Sequence, residues 1–151
     1  MVDGIKIYVL DGIIYDDEDE REATGRVDVY DPAADSWQQM AAMPTARETN
    51  AAAVMDGKIY VSGGFTTSRE LSDAFEAYDP VTNTWTTLAS LSKARASHAS
   101  AAAHGKLYVF GGFMSGGDCL DLVEVYSPAS NSWARAAGMP SATEDFMAVA
   151  L

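Results

Sequence analysis

The 151-residue sequence predicts an all-β protein made of three copies of one four-stranded antiparallel unit. Three observations predict it. Trp37, Trp85 and Trp133 fall 48 residues apart, and Tyr30, Tyr78 and Tyr126, then Pro32, Pro80 and Pro128, keep the same step. A second series, Tyr8, Tyr60 and Tyr108, steps by 52 and then by 48, so the first repeat carries four extra residues between Tyr8 and Tyr30. Apolar side chains alternate with period two between turn residues, as in half-buried strands, and 3.6-residue periodicity is nowhere convincing.

Each repeat has the same internal order. A small-residue run, Asn50-Ala51-Ala52-Ala53-Val54-Met55, leads into a tight turn, Asp56-Gly57 or His104-Gly105. An alternating strand follows, Lys58-Ile59-Tyr60-Val61, closed by the doublet Gly63-Gly64. A loop leads to Ala74-Phe75-Glu76-Ala77-Tyr78. The turn after it, Asp79-Pro80-Val81-Thr82-Asn83, suits a proline that fixes φ and an asparagine that tolerates the left-handed region. The last strand, Thr84–Leu88, holds the tryptophan. Four short strands, here A to D from the axis outward, in about 50 residues make one β-propeller blade.

The glycine doublets Gly63-Gly64 and Gly111-Gly112, the tyrosines Tyr78 and Tyr126 and the tryptophans Trp85 and Trp133 together resemble the kelch repeat. The resemblance covers essentially the whole chain. It implies that the aromatic residues fill space between blades and that the glycines admit close backbone. The first repeat departs, with Asp11-Gly12 where the doublet belongs and a longer loop, so its backbone near Asp11 is expected to differ.

Blade units are expected at about 1–48, 49–96 and 97–144. Asp3-Gly4 matches Asp56-Gly57, so the first unit opens at strand B, and Phe146–Leu151 matches residues 50–55. Segment 145–151 is therefore expected to be a strand A that completes a blade. Three blades do not close, because closed propellers have about 4–8. An open half-ring would expose apolar faces and unpaired edges. The expectation is a twofold homodimer forming a six-bladed ring, each C-terminal strand completing the partner's first blade. The rival is a fragment of a longer propeller.

The formal net charge of −12 weighs against nucleic acid and anionic membrane surfaces as partners. Cys119 is the one cysteine, so no disulfide framework exists; this fits a reducing compartment, and a cytoplasmic location is expected. Met1-Val2-Asp3-Gly4 shows no signal-peptide pattern, and no apolar run approaches the roughly 20 residues that span a bilayer.

Strand direction places the B–C and D–A loops on one face and the short A–B and C–D turns on the other. The longer, more variable loops are the expected binding face. By resemblance to kelch adaptors, Arg47 and Arg95 would stand near the channel mouth and grip acidic peptide side chains, which a guanidinium fork suits. Pairing with a neighbouring blade is the other reading of these arginines. The third repeat has Thr143-Glu144-Asp145 instead. Phe65 and Phe113, directly after the doublets, would offer apolar or stacking contact, or be buried in the loop base. Asn50 and His98, one period apart at the start of strand A, complete this set. The run Asp16–Glu20 is expected to be a solvated loop; it lacks calcium-loop spacing.

The expected function is a non-catalytic scaffold that binds a protein or peptide, with no cofactor and no metal. The alternative is an enzyme of sugar-isomerase or copper-oxidase type, or a carbohydrate-binding module. A copper radical site needs several histidines and a crosslinked cysteine; only His98 and His104 exist, and His104 lies in an A–B turn.

Overall fold

The computed structural model describes residues 5–15 and 21–151, in which the chain forms thirteen β-strands and no helix. The first sheet has three strands, β1 (Ile7–Tyr15), β2 (Arg21–Asp31) and β3 (Ser36–Gln39). A two-residue strand β4 (Arg47–Glu48) precedes the second sheet, β5 (Ala51–Met55), β6 (Lys58–Ser62), β8 (Phe75–Asp79) and β9 (Thr84–Thr87). Strand β7 (Phe65–Thr66) lies in the loop between β6 and β8 and pairs with β4. The third sheet is β10 (Ala99–Ala103), β11 (Lys106–Phe110), β12 (Val123–Ser127) and β13 (Ser132–Arg135). Every pairing is antiparallel, and the innermost strands β5 and β10 lie side by side.

The departures foreseen in the first repeat take a definite form. Strand β1 does not stop at Asp11-Gly12. It bulges between Leu10 and Gly12, where Gly12 takes φ 128°, and continues to Tyr15 opposite Arg21. A single glycine lets the ladder shift by one residue and resume. Residues 1–4 and 16–20, which carry the Asp3-Gly4 turn, the leader reading and the acidic run, lie outside the described residues. Segment 145–151, expected to be a strand A that completes a blade, forms no ladder within the single chain. A strand A pairs with a strand B beside it, and the described chain offers none at that place.

Alternation along strand B sorts the core. Ile59 and Val61 of β6 face the first unit, where they pack with Tyr8, Leu10 and Met43. Tyr60 points the other way and joins Phe75 and Leu91 against Leu107, Val109 and Tyr126 of the third unit. Successive sheets thus bury opposite faces of one pleated strand.

Polar contacts lock the same seams. Trp85 Nε1–H donates to Ala41 O at 2.9 Å, and Trp133 Nε1–H to Ala89 O at 2.7 Å. Asn83 Oδ1 accepts the Ala41 N–H at 2.8 Å and the Tyr78 hydroxyl at 2.9 Å; Asn131 repeats this with Ala89 and Tyr126. Asn83 and Asn131 sit at φ 54° and 46°, a conformation asparagine tolerates, so one residue shapes the C–D turn and receives the preceding unit.

Charge completes each seam. Arg47 Nη2 lies 3.0 Å from Glu76 Oε2, and Thr45 Oγ1–H donates to Glu76 Oε1 at 2.9 Å. One period on, Arg95 Nη2 pairs with Glu124 Oε2, and Ser92 N–H donates to Glu124 Oε1 at 3.2 Å. Neither arginine side chain is exposed at all. Taking two ions from water is repaid only while both stay paired. Arg95→Met is therefore expected to destabilise by about 3–5 kcal/mol in chemical denaturation, because it strands a buried carboxylate. Adding Glu124→Gln should recover most of that loss.

Candidate functional site

The B–C loops of the second and third units, residues 63–74 and 111–122, are built alike. Thr66 N–H donates to Glu70 O and Arg69 N–H to Thr66 O, both at 2.9 Å. Met114 N–H and Gly117 N–H repeat these bonds to Asp118 O and Met114 O at 3.1 Å. Arg69 and Gly117 hold the matching positive φ, 61° and 83°. An arginine in that region is strained, and the closed loop retains it at an exposed tip.

The glycine doublets seat these loops on the next D–A segment. Gly64 N–H donates to Arg95 O at 2.8 Å and Gly112 N–H to Thr143 O at 2.9 Å. A Cβ on Gly64 would stand 2.5 Å from Glu48 O, so no other residue allows the approach.

Between the two loops lies an open groove of about 610 Å³. Phe65 and Phe113 stand in it with ring centroids 5.7 Å apart, tilted by 48° and half-buried. Leu71, Ala94 and Met114 add apolar surface, and Arg69 and Glu70 supply charge at the rim. Lys93 Nζ reaches Met114 Sδ at 3.8 Å.

The structure separates the other expected site residues from this groove. Arg47 and Arg95 are fully buried in the inter-blade ion pairs, so the ligand-gripping role is corrected: neither guanidinium reaches the loop-face solvent. The partners are spaced alike in the sequence. Glu76 and Glu124 follow Arg47 and Arg95 by 29 residues each, one acid for each arginine. Asn50 and His98 lie together at the inner edge, along a smaller cleft shared with Phe146 and Met147. Cys119 is exposed, with Sγ 3.6 Å from Glu144 Oε1; partial desolvation of the sulfur and then the Glu144 charge push its thiol pKa up, which disfavours a reactive thiolate. His104 occupies the exposed A–B turn at φ 51°. Among the described residues no group of three or more His, Cys, Asp or Glu side chains is placed to hold a metal ion, and no helix is long and apolar enough to cross a membrane.

His98 is 5% exposed, and its Nε2 lies 2.8 Å from Ser62 Oγ, itself 3.3 Å from Ser100 Oγ. Nδ1 is buried beside Gly63 without a hydrogen-bond partner. Desolvation, with Arg95 and Arg47 nearby, pushes the imidazole pKa down to about 3. The folded state thus holds His98 neutral, and stability from this group is full above its unfolded pKa near 6.5 and falls as pH drops below it. By pH 5 the loss is about 2 kcal/mol. His98→Gln is expected to flatten the stability–pH curve between pH 6.5 and 5, measured by urea unfolding.

Known proteins show the same organisation. The chain matches the KLHDC2/KLHL20/DRC7 Kelch-repeats domain over residues 1–149. Kelch-like protein terF of Aspergillus terreus is 48% identical over 66 residues, 42% of this chain and 14% of that protein. Kelch-like protein 21 of Mus musculus is 38% identical over 68 residues, 45% of this chain and 11% of its own length. An F-box/kelch-repeat protein of Arabidopsis thaliana is 38% identical over 65 residues, 43% of this chain and 17% of its own. The matched stretch therefore spans less than a fifth of each curated relative. The solved structure of YjhT has the same fold, with a TM-score of 0.80 over 90% of this chain and 50% of that one at 19% identity. The period, the doublets, the inter-blade tryptophans and the family match agree: the chain belongs to the kelch-repeat family of β-propeller proteins.

Proposed function

We propose that this chain is a non-catalytic kelch scaffold that holds a protein or peptide partner on its B–C and D–A loop face. The observation that carries the reading is the Phe65–Phe113 groove between two pre-formed loops. An apolar side chain of the partner would wedge between the rings, where aromatic surface gives large contact area at little rotamer entropy. Because backbone hydrogen bonds already close both loops, binding spends little free energy on ordering them. Arg69, Glu70 and Lys93 would orient flanking charges, and the net charge of −12 steers basic partners toward the molecule.

The scaffold works as a homodimeric six-bladed ring. The match to half of YjhT suits three blades per chain, and the open sheet faces at both ends of the described chain call for cover.

Peptides selected by display on the immobilised chain test the binding face. Joint replacement Phe65→Ala and Phe113→Ala is expected to weaken selected peptides at least tenfold, since truncating a buried aromatic anchor removes about 2 kcal/mol or more. Val81→Ser, on the opposite face and 93% exposed, should leave affinity unchanged. Unchanged binding by the double variant would overturn the assignment, and retention of neutral glycans with no peptide selected would replace it with carbohydrate recognition.

A further inference from the structure

Each internal seam has two sides. The preceding unit contributes an alanine, whose N–H and C=O bond the asparagine and tryptophan of the following unit, and an arginine for its glutamate. The first sheet has a following-type side with no described residue of another sheet against it. Its Trp37 is 61% exposed, and Ile7 and Val9, counterparts of the buried Ile59 and Val61, are 51% and 47% exposed. Asp35 stands at φ 48° where Asn83 and Asn131 stand, and already accepts the Tyr30 hydroxyl at 2.7 Å. The third sheet has the complementary side. Tyr108, Phe110, Val123 and Met139 border an apolar recess of about 540 Å³. Ala137 sits there, 48 residues after Ala89 and 96 after Ala41.

The departures of the two ends match each other. The third unit brings Thr143 where Arg47 and Arg95 stand in the others. The first unit meets this with Asp28, the counterpart of Glu76 and Glu124, already held by Arg26 of its own strand at 2.6 and 3.1 Å. The carboxylate that would need a guanidinium from across the seam has one in cis, and the opposing loop supplies none.

A strand is also wanting at one place and spare at another. A cleft of about 420 Å³ lies between β1 and β5, bordered by Tyr8, Leu10, Ala52 and Val54, where a strand A of the first sheet belongs. The segment after Asp145 is launched as strand A is launched elsewhere. Thr49, Ser97 and Asp145 share φ of 51°, 51° and 54°, and Ser97 N–H to Thr49 O is repeated by Asp145 N–H to Ser97 O. Past that point Met147, Val149 and Leu151 are 94%, 81% and fully exposed.

Resting on the homodimeric ring proposed above, we infer that two copies exchange strands. Residues 146–151 of one copy enter the β1–β5 cleft of the other, and Trp37 and Asp35 lock onto Ala137 across the seam. The register follows from the second unit, where Ala52 faces Val61 and Val54 faces Ile59. Ala148 then opposes the partner's Val9, and Ala150 opposes the partner's Ile7. Backbone pairing gives the strand its affinity, and the small side chains fit the crowded inner edge.

The test uses the full chain carrying Cys119→Ser, with Val9→Cys and Ala148→Cys. Light scattering across a dilution series is expected to give a mass near twice 16.1 kDa. Mild oxidation should then give a covalent dimer on non-reducing gels, because opposed residues of antiparallel strands lie within disulfide reach. Either cysteine alone should give none. Trp37→Phe should raise the dimer dissociation constant roughly tenfold by removing the Nε1 donor at each of the two seams. A dimer that forms no disulfide would overturn the strand exchange and leave the ring to another pairing. A disulfide within one chain would overturn exchange between copies. A monomer at every concentration would overturn the homodimeric ring itself and leave the open faces to further blades.

Discussion

The seam between blades is the constraint on which this molecule depends. Each sheet is too narrow to bury both faces alone, so stability comes from stacking one unit on the next, as in other repeat proteins. The stacking is directional. Apolar alternation along strand B supplies the area, but it would tolerate sliding. The tryptophan–alanine–asparagine bonds and the buried arginine–glutamate pairs set one register, because each fails if the units move by a fraction of a hydrogen-bond length.

The same seam builds the surface above it. Arg95 closes the Glu124 pair with its side chain while its carbonyl accepts the Gly64 N–H, so one residue ties two units to the B–C loop. The groove at Phe65 and Phe113 therefore rests on a rigid base. Burial of the arginines moves the chemistry of that face from an anionic-ligand clamp to an aromatic cleft with mixed charge at its rim. His98 belongs to the same base: neutral and bonded to Ser62, it fills the inner edge without adding charge beside two guanidinium groups.

The first unit shows how a repeat can be altered without losing its place. Asp11-Gly12 trades the doublet for a bulge, past which the β1–β2 ladder runs on to Tyr15 and Arg21. Arg26 neutralises Asp28 from the same strand. Both changes leave the apolar stripe of Ile7 and Val9 intact.

Period, strand order, turn chemistry and the inter-blade aromatics were legible from the sequence, because a 48-residue step repeated in Trp, Tyr and Pro reports local geometry that each unit must satisfy alone. The placement of Phe65 and Phe113 after the doublets was legible too, since it follows from strand direction. What Arg47 and Arg95 do was decided by tertiary structure. A loop arginine looks the same in sequence whether it meets water or a carboxylate 29 residues further on, and only the stacking angle of two sheets brings Glu76 or Glu124 back onto it. The spacing between β1 and β5 and the exposure of the segment after Asp145 likewise depend on how whole sheets fan apart, which no single repeat encodes.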